Sequence, residues 1–406
     1  MITSTLWRSA WPEGGLGDNG SNRNTGARFL RGFPRSEFAD RCARAQKLMA
    51  EHGLAALLLT TEPEVRYFTG YLTRFWESPT RPWFLVVPSD GKPIAIIPSI
   101  GATLMSKTWI EDIRTWSSPD LKDDGIGLLM DTLREIVPVG GDIGVPDGHE
   151  THVRMPWADL KLVETTLNDR RLTGDQGIMR RLRMVKSDAE IAKIATACDI
   201  AGRAFARVPD IAREGVALDE IYRRFQMLCL DEGADWVGYL AGGAERGGYG
   251  DVISPAAETP LAKGDVLMLD TGVVWDGYFS DFDRNWSVGP ASGPVRDAHA
   301  RLVEASDAAF EIARPGTSAA DLFHAMNAVV SGGDGGRLGH GLGTSLTEWP
   351  SLIPSDDTKL EKGMVLTLEP GIAVGSRIMV HEEDIVITEH GARFLSPRIG
   401  PEIHEI

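Results

Sequence analysis

Apolar residues recur at helical spacing from residue 36 onward. Phe38, Cys42, Ala45, Leu48 and Met49 share one face, with Ser36 positioned as N-cap and Gly53 just past the last turn. The run at 55–60 (AALLLT) has no polar alternation and predicts a buried strand. Two further apolar runs, 83–88 and 93–98, are separated by Ser89-Asp90-Gly91-Lys92 and predict a hairpin. Helix and strand patterns alternate to about residue 165, which predicts a three-layer α/β domain over 34–170. The polar, basic stretch ending in RRLRMVK predicts a linker over 171–186.

Ser187-Asp188-Ala189-Glu190 has the form of a capping box, and Ile191, Ile194, Ala195, Cys198 and Ala201 continue a helix from it. A second helix is expected over 219–232, ending at Gly233, and two more near 295–313 and 318–331. Strand-like runs lie between them, so 187–406 reads as an α+β domain. Residues 1–33 are rich in Gly, Asn and Arg without periodicity and are expected to form a mobile arm. The string Gly15-Leu16-Gly17-Asp18-Asn19-Gly20 formally matches a dinucleotide fingerprint. No strand pattern precedes it and no helix pattern follows, so it reads as loop.

Composition narrows the functional classes. The 406 residues carry a net charge of −16, which argues against a protein that tracks nucleic-acid phosphates. No stretch approaches 18 consecutive apolar residues, and the first residues offer no signal-peptide core, so no membrane partner is expected. Cys42, Cys198 and Cys229 are odd in number and widely spaced. They read as reduced, buried thiols of a cytoplasmic protein.

The chemistry concentrates after residue 265. The segment LMLDTGVVWDGYFSDFDRNW predicts a hairpin with Trp275-Asp276-Gly277 at its turn. Asp270 and Asp281 are equidistant from position 275.5, which would set the two carboxylates opposite each other. A second hairpin is expected around Gly375-Ser376-Arg377, with Glu369 and Glu383 each seven residues from Ser376. Like charges set about 5 Å apart destabilise unless a cation lies between them. Between the pairs lies a histidine in a glycine-rich setting, Gly339-His340-Gly341-Leu342-Gly343. Two Asp, one His and two Glu form a hard, oxygen-rich set suited to two Mn²⁺, Fe²⁺, Co²⁺ or Zn²⁺ ions.

The strings LMLDTG, GYFSDFDRNW, LGHGLG, LTLEPGI and HEEDIVIT resemble the pita-bread metallopeptidases: aminopeptidase P, prolidase, methionine aminopeptidase and the non-peptidase creatinase. Upstream, FADRCARAQKLMAEHGLAALLLTTEPEVRYFTGY is similar to the creatinase-type N-terminal domain, and RLRMVKSDAEIAKI to its domain linker. The resemblance implies that Asp270, Asp281, His340, Glu369 and Glu383 ligate two metals, with Asp281 and Glu383 bridging. It implies a water of lowered pKa as nucleophile, Glu369 as its proton acceptor, and a homodimer in which the loop around Trp76 and Trp83 reaches the partner's site.

The sequence also departs from the peptidases it resembles. Those carry a histidine about 17 residues before the first metal Asp, where this chain reads ERGGYGDVISPAAETP, and another seven residues after the metal His, where it has Thr347. Such histidines stabilise charge that develops during amide attack. The family's dimethylsulfoniopropionate lyase has an extra Asp where Gly272 stands here, which weakens a lyase reading. Arg246, Tyr249, Asp251, Thr347 and His381 are candidate substrate contacts, with Arg246 suited to a carboxylate. His149-Glu150-Thr151-His152 lacks zinc-protease spacing and reads as a surface loop.

The reading is a dinuclear metal hydrolase cleaving a C–N bond of a small amino-acid-like molecule or dipeptide, in the manner of creatinase or an Xaa-Pro peptidase. Glu369 and His340 are the expected catalytic residues. A lyase acting on a small zwitterion and a non-catalytic binding module are the alternatives. The missing histidines predict poor turnover of Xaa-Pro dipeptides relative to a non-peptide amino-acid derivative.

Overall fold

The computed structural model describes residues 31–78, 81–330 and 336–406. The expected arm therefore lies outside the described residues except at 31–33, as does the glycine string at 15–20.

The first domain is a mixed six-stranded sheet: β1 (Leu54–Leu59), β2 (Phe84–Pro88), β3 (Ile94–Pro98), β4 (Asp112–Trp116), β5 (Asp142–Val145) and β6 (Arg171–Gly174), in the order β4-β3-β2-β1-β5-β6. Both faces are covered, which explains the unbroken apolar runs. Leu57, Leu59, Leu85 and Val87 pack with Phe38, Cys42, Ala45 and Met49 of helix Arg35–His52. Ala56, Leu58, Phe84 and Val86 pack with Leu129 and Leu133 of helix Ile126–Ile136 and with Val163. Helix Arg35–His52 starts two residues earlier than an N-cap at Ser36 predicts, with Pro34 at the N-cap, and Gly53 ends it at φ 71°. The sheet also reaches further than the pattern suggests: its edge strand β6 and helix Ile178–Met184 occupy most of the expected linker.

The second domain contains β7 (Trp236–Arg246), β8 (Asp265–Trp275), β9 (Tyr278–Phe279), β10 (Phe282–Ser287), β11 (His340–Gly341), β12 (Glu348–Ser351), β13 (Val365–Leu368), β14 (Gly371–Val374), β15 (Arg377–Val380), β16 (Glu383–Ile387), β17 (Ala392–Phe394) and β18 (His404–Glu405). They form two sheets, β18-β10-β8-β7 with β9 on β8, and β12-β11-β13-β16-β17, plus the β14-β15 hairpin. Helices Asp188–Ala206 and Leu218–Asp231 cover one side through Ile194, Ala201, Phe205 and Phe225. Helices Gly293–Ile312 and Ala319–Val330 cover the other through Leu302, Ala305, Leu322 and Met326. The Ser187–Glu190 capping box is present at the start of the first of these helices. All three cysteines are buried and free. No helix among the described residues is long and apolar enough to cross a membrane.

One buried charge cluster ties the chain between the domains to the start of β12 and the loop before it. Arg183 Nη2 donates to Glu348 Oε1 at 2.6 Å, and Lys186 Nζ to Glu348 Oε2 at 3.1 Å. Thr344 Oγ1 and the Ser345 amide, each 3.1 Å away, also donate to Oε1. Burial opposes the charge on Glu348, but Arg183 and Lys186 outweigh it and hold the carboxyl down at about 2. The loop 149–152 lies at the surface, as its spacing predicts, and is tied down there. The Trp349 indole donates to the His149 carbonyl at 3.2 Å, and Ser351 Oγ to Glu150 Oε1 at 3.1 Å.

A test follows from Glu348. Removing its charge leaves Arg183 and Lys186 buried without a counter-ion, so E348Q should cost about 3–5 kcal/mol in urea unfolding at neutral pH. A carboxyl whose folded pKa is depressed stabilises the fold above its unfolded pKa and loses that contribution as pH falls through the folded one. The gap between wild type and E348Q should therefore stay constant at neutral pH and close between the ordinary value of 4.5 and about 2.

Candidate metal centre

Two hairpins and one glycine-flanked strand build the site. The β8 hairpin turns on Asp276 (φ 49°) and Gly277 (φ 81°), a two-residue turn needing left-handed backbone at both positions. Its centre is thus half-way between 276 and 277, not at 275.5. Asp270 pairs across the strands with Asp283, and Asp281 comes level with Gly272 by the same register. Asp270 and Asp281 are diagonal neighbours on one face rather than directly opposed.

The same one-residue precision decides the second pair. The β14-β15 hairpin pairs Gly371 with Val380 and Val374 with Arg377, leaving Gly375-Ser376 as the turn. Beyond it, Leu368 pairs with Glu383 and Thr367 with Asp384. The residue across from Glu369 is therefore Glu382, not Glu383. Side chains alternate faces along a strand, so a slip of one moves the carboxylate to the other side. Glu383 shares its side with Leu368, and its Oε2 accepts from Arg284 Nη2 at 3.0 Å and from Ser396 Oγ. Burial disfavours the Glu383 charge, yet Arg284 and His381 hold its carboxyl at about 2.

His340 enters on β11. Gly339 adopts φ 138°, and a Cβ on Gly341 would lie 1.9 Å from the Trp349 carbonyl oxygen. Glycine at both positions lets the strand press against its neighbours and project the imidazole inward. His340 Nδ1 sits 2.8 Å from the Gly341 carbonyl, which makes it the protonated nitrogen and turns Nε2 to the carboxylates. Nε2 lies 3.0 Å from Glu369 Oε1 and 3.3 Å from Asp281 Oδ2.

Donor atoms of Asp281, His340 and Glu369 lie within 4.8 Å of one another, as do those of Asp270, Asp281 and Glu382. Asp281 belongs to both groups, so the five residues form two abutting donor sets. The electrostatics call for cations. Burial, then the charges of Asp281, Asp283 and Glu369, push the Asp270 carboxyl well above its ordinary range. Glu382 is raised likewise by burial and by Asp270. Burial, partly offset by His340, lifts Asp281 to about 6. On His340 burial opposes the charge, but Glu369 and Asp281 prevail and raise the imidazole well above its usual value. Asp270 Oδ1 is buried with no hydrogen-bond partner. Acid oxygens crowded this closely, one of them unsatisfied, suit hard divalent ions.

The supporting groups are specific. Thr367 Oγ1 donates to Glu369 Oε1 at 2.5 Å, and the Asp281 amide to Asp384 Oδ2 at 3.0 Å. Arg284 clamps the two halves together, donating to the carbonyls of Asp283 and Glu382 as well as to Glu383.

Most of the proposed substrate contacts lie elsewhere. Tyr249 is fully buried: its hydroxyl donates to Asn285 Oδ1 at 3.2 Å and accepts from the Val380 amide at 2.6 Å. Asp251 is an exposed turn residue that accepts from the amides of Ile253 and Ser254. Arg246 pairs with Asp265 at the far end of β7, five residues beyond Ala241, which stands beside Asp270; that is about 16 Å at the strand rise. His381 is buried behind the cluster, 3.6 Å from Asp283 and 3.4 Å from Glu383. Trp83 is core, packed on Tyr71 and Trp76. Trp76 borders a cleft with Trp236, Phe279 and Leu346, and Thr347 is half-buried in the loop before β12.

Tyr239 was not singled out by sequence. A β-bulge at Gly238 shifts the β7 register so that Tyr239 pairs with Gly272, in one row with Asp281. Burial, then the charges of Asp270, Glu382 and Asp281, raise its phenol, which stays a hydrogen-bond donor. An isolated glycine inside a strand pattern was the available signal.

The face assignment can be checked by metal content. After chelation, reloading with Mn²⁺ and desalting, E382A should retain about one equivalent less metal per chain than wild type. E383Q should keep the wild-type content but unfold more readily, by about 3 kcal/mol, because Arg284 loses its counter-ion.

Residues 192–389 match the model of Metallopeptidase family M24, and residues 41–185 that of the Creatinase/Prolidase N-terminal domain. Probable dipeptidase PepE of Mycobacterium tuberculosis is 30% identical over 374 residues, covering 89% of this chain and 95% of the relative. The Xaa-Pro dipeptidase of Pyrococcus horikoshii is 30% identical over 253 residues, covering 60% and 71%. The crystal structure of dipeptidase PepE from Mycobacterium ulcerans matches with a TM-score of 0.78 at 27% identity, over 92% of this chain and 99% of that one. That of a prolidase from Thermococcus sibiricus matches in fold with a TM-score of 0.81 at 23% identity, over 91% and 99%. With its two-domain architecture and its carboxylate–histidine cluster, the chain belongs to metallopeptidase family M24 and is a metallohydrolase of the pita-bread fold.

Proposed function

We propose that the protein is a dipeptidase working with two divalent ions held by Asp270, Asp281, His340, Glu369 and Glu382, with Asp281 shared between them. The observation that carries this reading is the pair of abutting donor sets that meet at Asp281. The likeness to relatives named dipeptidase over 95% of their length supports the substrate class.

The ions would supply Lewis acidity toward water and the scissile carbonyl. Glu369 is the proton acceptor in this scheme. Burial works against its charge, but His340 and the Thr367 hydroxyl keep the carboxyl below its ordinary range, hence ionised. Its side chain is 17% exposed, which leaves an oxygen reachable by water. The Tyr239 phenol, level with Asp281, can donate to a developing oxyanion or orient the peptide. Water is kept from the rear by Leu366, Leu368 and Ile385.

A neutral hydroxyl at Thr347 cannot carry positive charge, and no imidazole occupies the 249–260 loop. This favours two refinements. The enzyme prefers dipeptides without proline, and non-peptide C–N bonds of amino-acid derivatives form a second reading. We further propose a homodimer, supported by exposed Leu121 and Trp157 on the first domain. Light scattering should then give twice the 44.2 kDa chain mass.

The experiment is a substrate panel on Mn²⁺-loaded protein with and without chelator: Ala-Ala, Gly-Leu, Ala-Pro, Gly-Pro, creatine and dimethylsulfoniopropionate. Chelator-sensitive cleavage of Ala-Ala or Gly-Leu is expected, with the Xaa-Pro peptides slower by about 10²-fold, the loss typical of one missing oxyanion donor. Faster turnover of Xaa-Pro peptides would show that Thr347 costs nothing. Cleavage of creatine alone would move the protein to the second reading. The substitution E369Q should lower kcat by about 10²–10⁴, as loss of a general base does.

A further inference from the structure

A dipeptide brings a carboxylate toward a centre that already holds four of them: Asp270, Asp281, Glu369 and Glu382. Two divalent ions would balance those four charges and leave nothing for a fifth. An additional cation is needed at the rim, and the cationic side chains nearest in the fold are mostly committed. Arg284 is buried on Glu383 and on the Pro397 carbonyl, and Arg183 and Lys186 are spent on Glu348. Arg246 lies at the far end of β7.

Arg337 differs from these. It sits three residues before His340, and the carbonyl of the next residue, Leu338, accepts from the Glu369 amide at 3.0 Å. The backbone therefore holds Arg337 beside Glu369. Its charge reaches both Asp281 and Glu369 and favours the ionised form of each, but less than His340 does. The side chain is 33% exposed, and among the described residues its one hydrogen bond is from Nη1 to Glu150 Oε1, at a loose 3.4 Å. The rest of the guanidinium fork is open, the geometry that grips a carboxylate through two parallel bonds.

Glu150 shows that the contact is built. It belongs to the first domain, and it adopts φ 63°, a left-handed conformation unusual for a non-glycine residue. The Ser351 hydroxyl holds the same oxygen, and Ser351 pairs directly with His340. A strained loop of one domain thus parks a carboxylate on an arginine next to the other domain's metal-ligand strand. Strain of this kind concentrates at ligand clamps.

We propose that Arg337 receives the substrate's carboxylate, exchanging its loose contact with Glu150 for a bidentate one, and so selects free dipeptides over peptides whose C-terminus is blocked. The assignment rests on the dipeptidase reading above for the identity of the carboxylate. It gives the acid-binding role that the sequence offered to Arg246 to a residue placed at the cluster.

The test compares Ala-Ala with its C-terminal amide on wild type, R337Q and R337K. Wild type should favour the free acid. R337Q should raise KM for the acid by about ten- to hundredfold, the worth of one charged hydrogen-bonded contact, with kcat little changed. KM for the amide should not move, so the preference disappears; R337K should restore part of it. A purely structural arginine would affect both substrates alike, and retained preference in R337Q would overturn the proposal. Calorimetric titration of the Mn²⁺-loaded protein with L-alanine and L-alaninamide separates this from the parent reading. If no dipeptide is cleaved, the dipeptidase reading fails. Tighter binding of alanine that is lost in R337Q would still support Arg337 as a carboxylate receptor. Equal binding of the two ligands by wild type would overturn it.

Discussion

Mutual repulsion among buried carboxylates is the constraint around which the second domain is organised. Asp270, Asp281, Glu369 and Glu382 converge from two hairpins, and burial and one another's charge push Asp270 and Glu382 toward the protonated form. A fold gains nothing from such an arrangement on its own. It persists because the backbone leaves the carboxylates no alternative: each hairpin closes on a tight two-residue turn, and both sheets are packed by helices from outside. The stability stored elsewhere in the domain keeps the acids together for ions to neutralise.

The surrounding charges are divided so that the centre is not shorted. Arg284 could neutralise a ligand, but Glu383 on the opposite face of the strand takes its charge, while the Glu382 carbonyl takes only a hydrogen bond. Arg183 and Lys186 are held by Glu348 on the strand next to His340. Alternation at the start of β16 thus separates the Arg284–Glu383 ion pair from the donor residue Glu382 by a single residue. Arg337 is the exception at the rim, where a partly exposed cation meets an incoming anion.

Much of this was legible in the sequence, because the physical signals are local. Unbroken apolar runs bounded by turn residues gave the three-layer first domain, and the Ser187–Glu190 capping box gave the start of the catalytic domain's first helix. The order Asp, Asp, His, Glu, Glu within glycine-rich or apolar strings marked the donor set. What could not be read was register. A turn centre misplaced by half a residue or one residue makes Asp270 face Asp281 instead of Asp283, and exchanges Glu382 for Glu383. Polar residues near the motifs were misleading too. Tyr249 lies in the stretch where the resemblance places a histidine and His381 adjoins Glu382, but both side chains are buried in the core. Tyr239 and Arg337 carry no motif. Their placement depends on a bulge and on a contact between domains, neither of which periodicity reveals.

The central claim is that the five residues hold two ions that share Asp281. Its most direct test is anomalous diffraction at the manganese edge from crystals grown with Mn²⁺. Two peaks are predicted, one among Asp281, His340 and Glu369 and the other among Asp270, Asp281 and Glu382, each at about 2.0–2.3 Å from its ligand atoms. A single peak ligated by Glu383, or density at neither position under saturating Mn²⁺, would contradict the account.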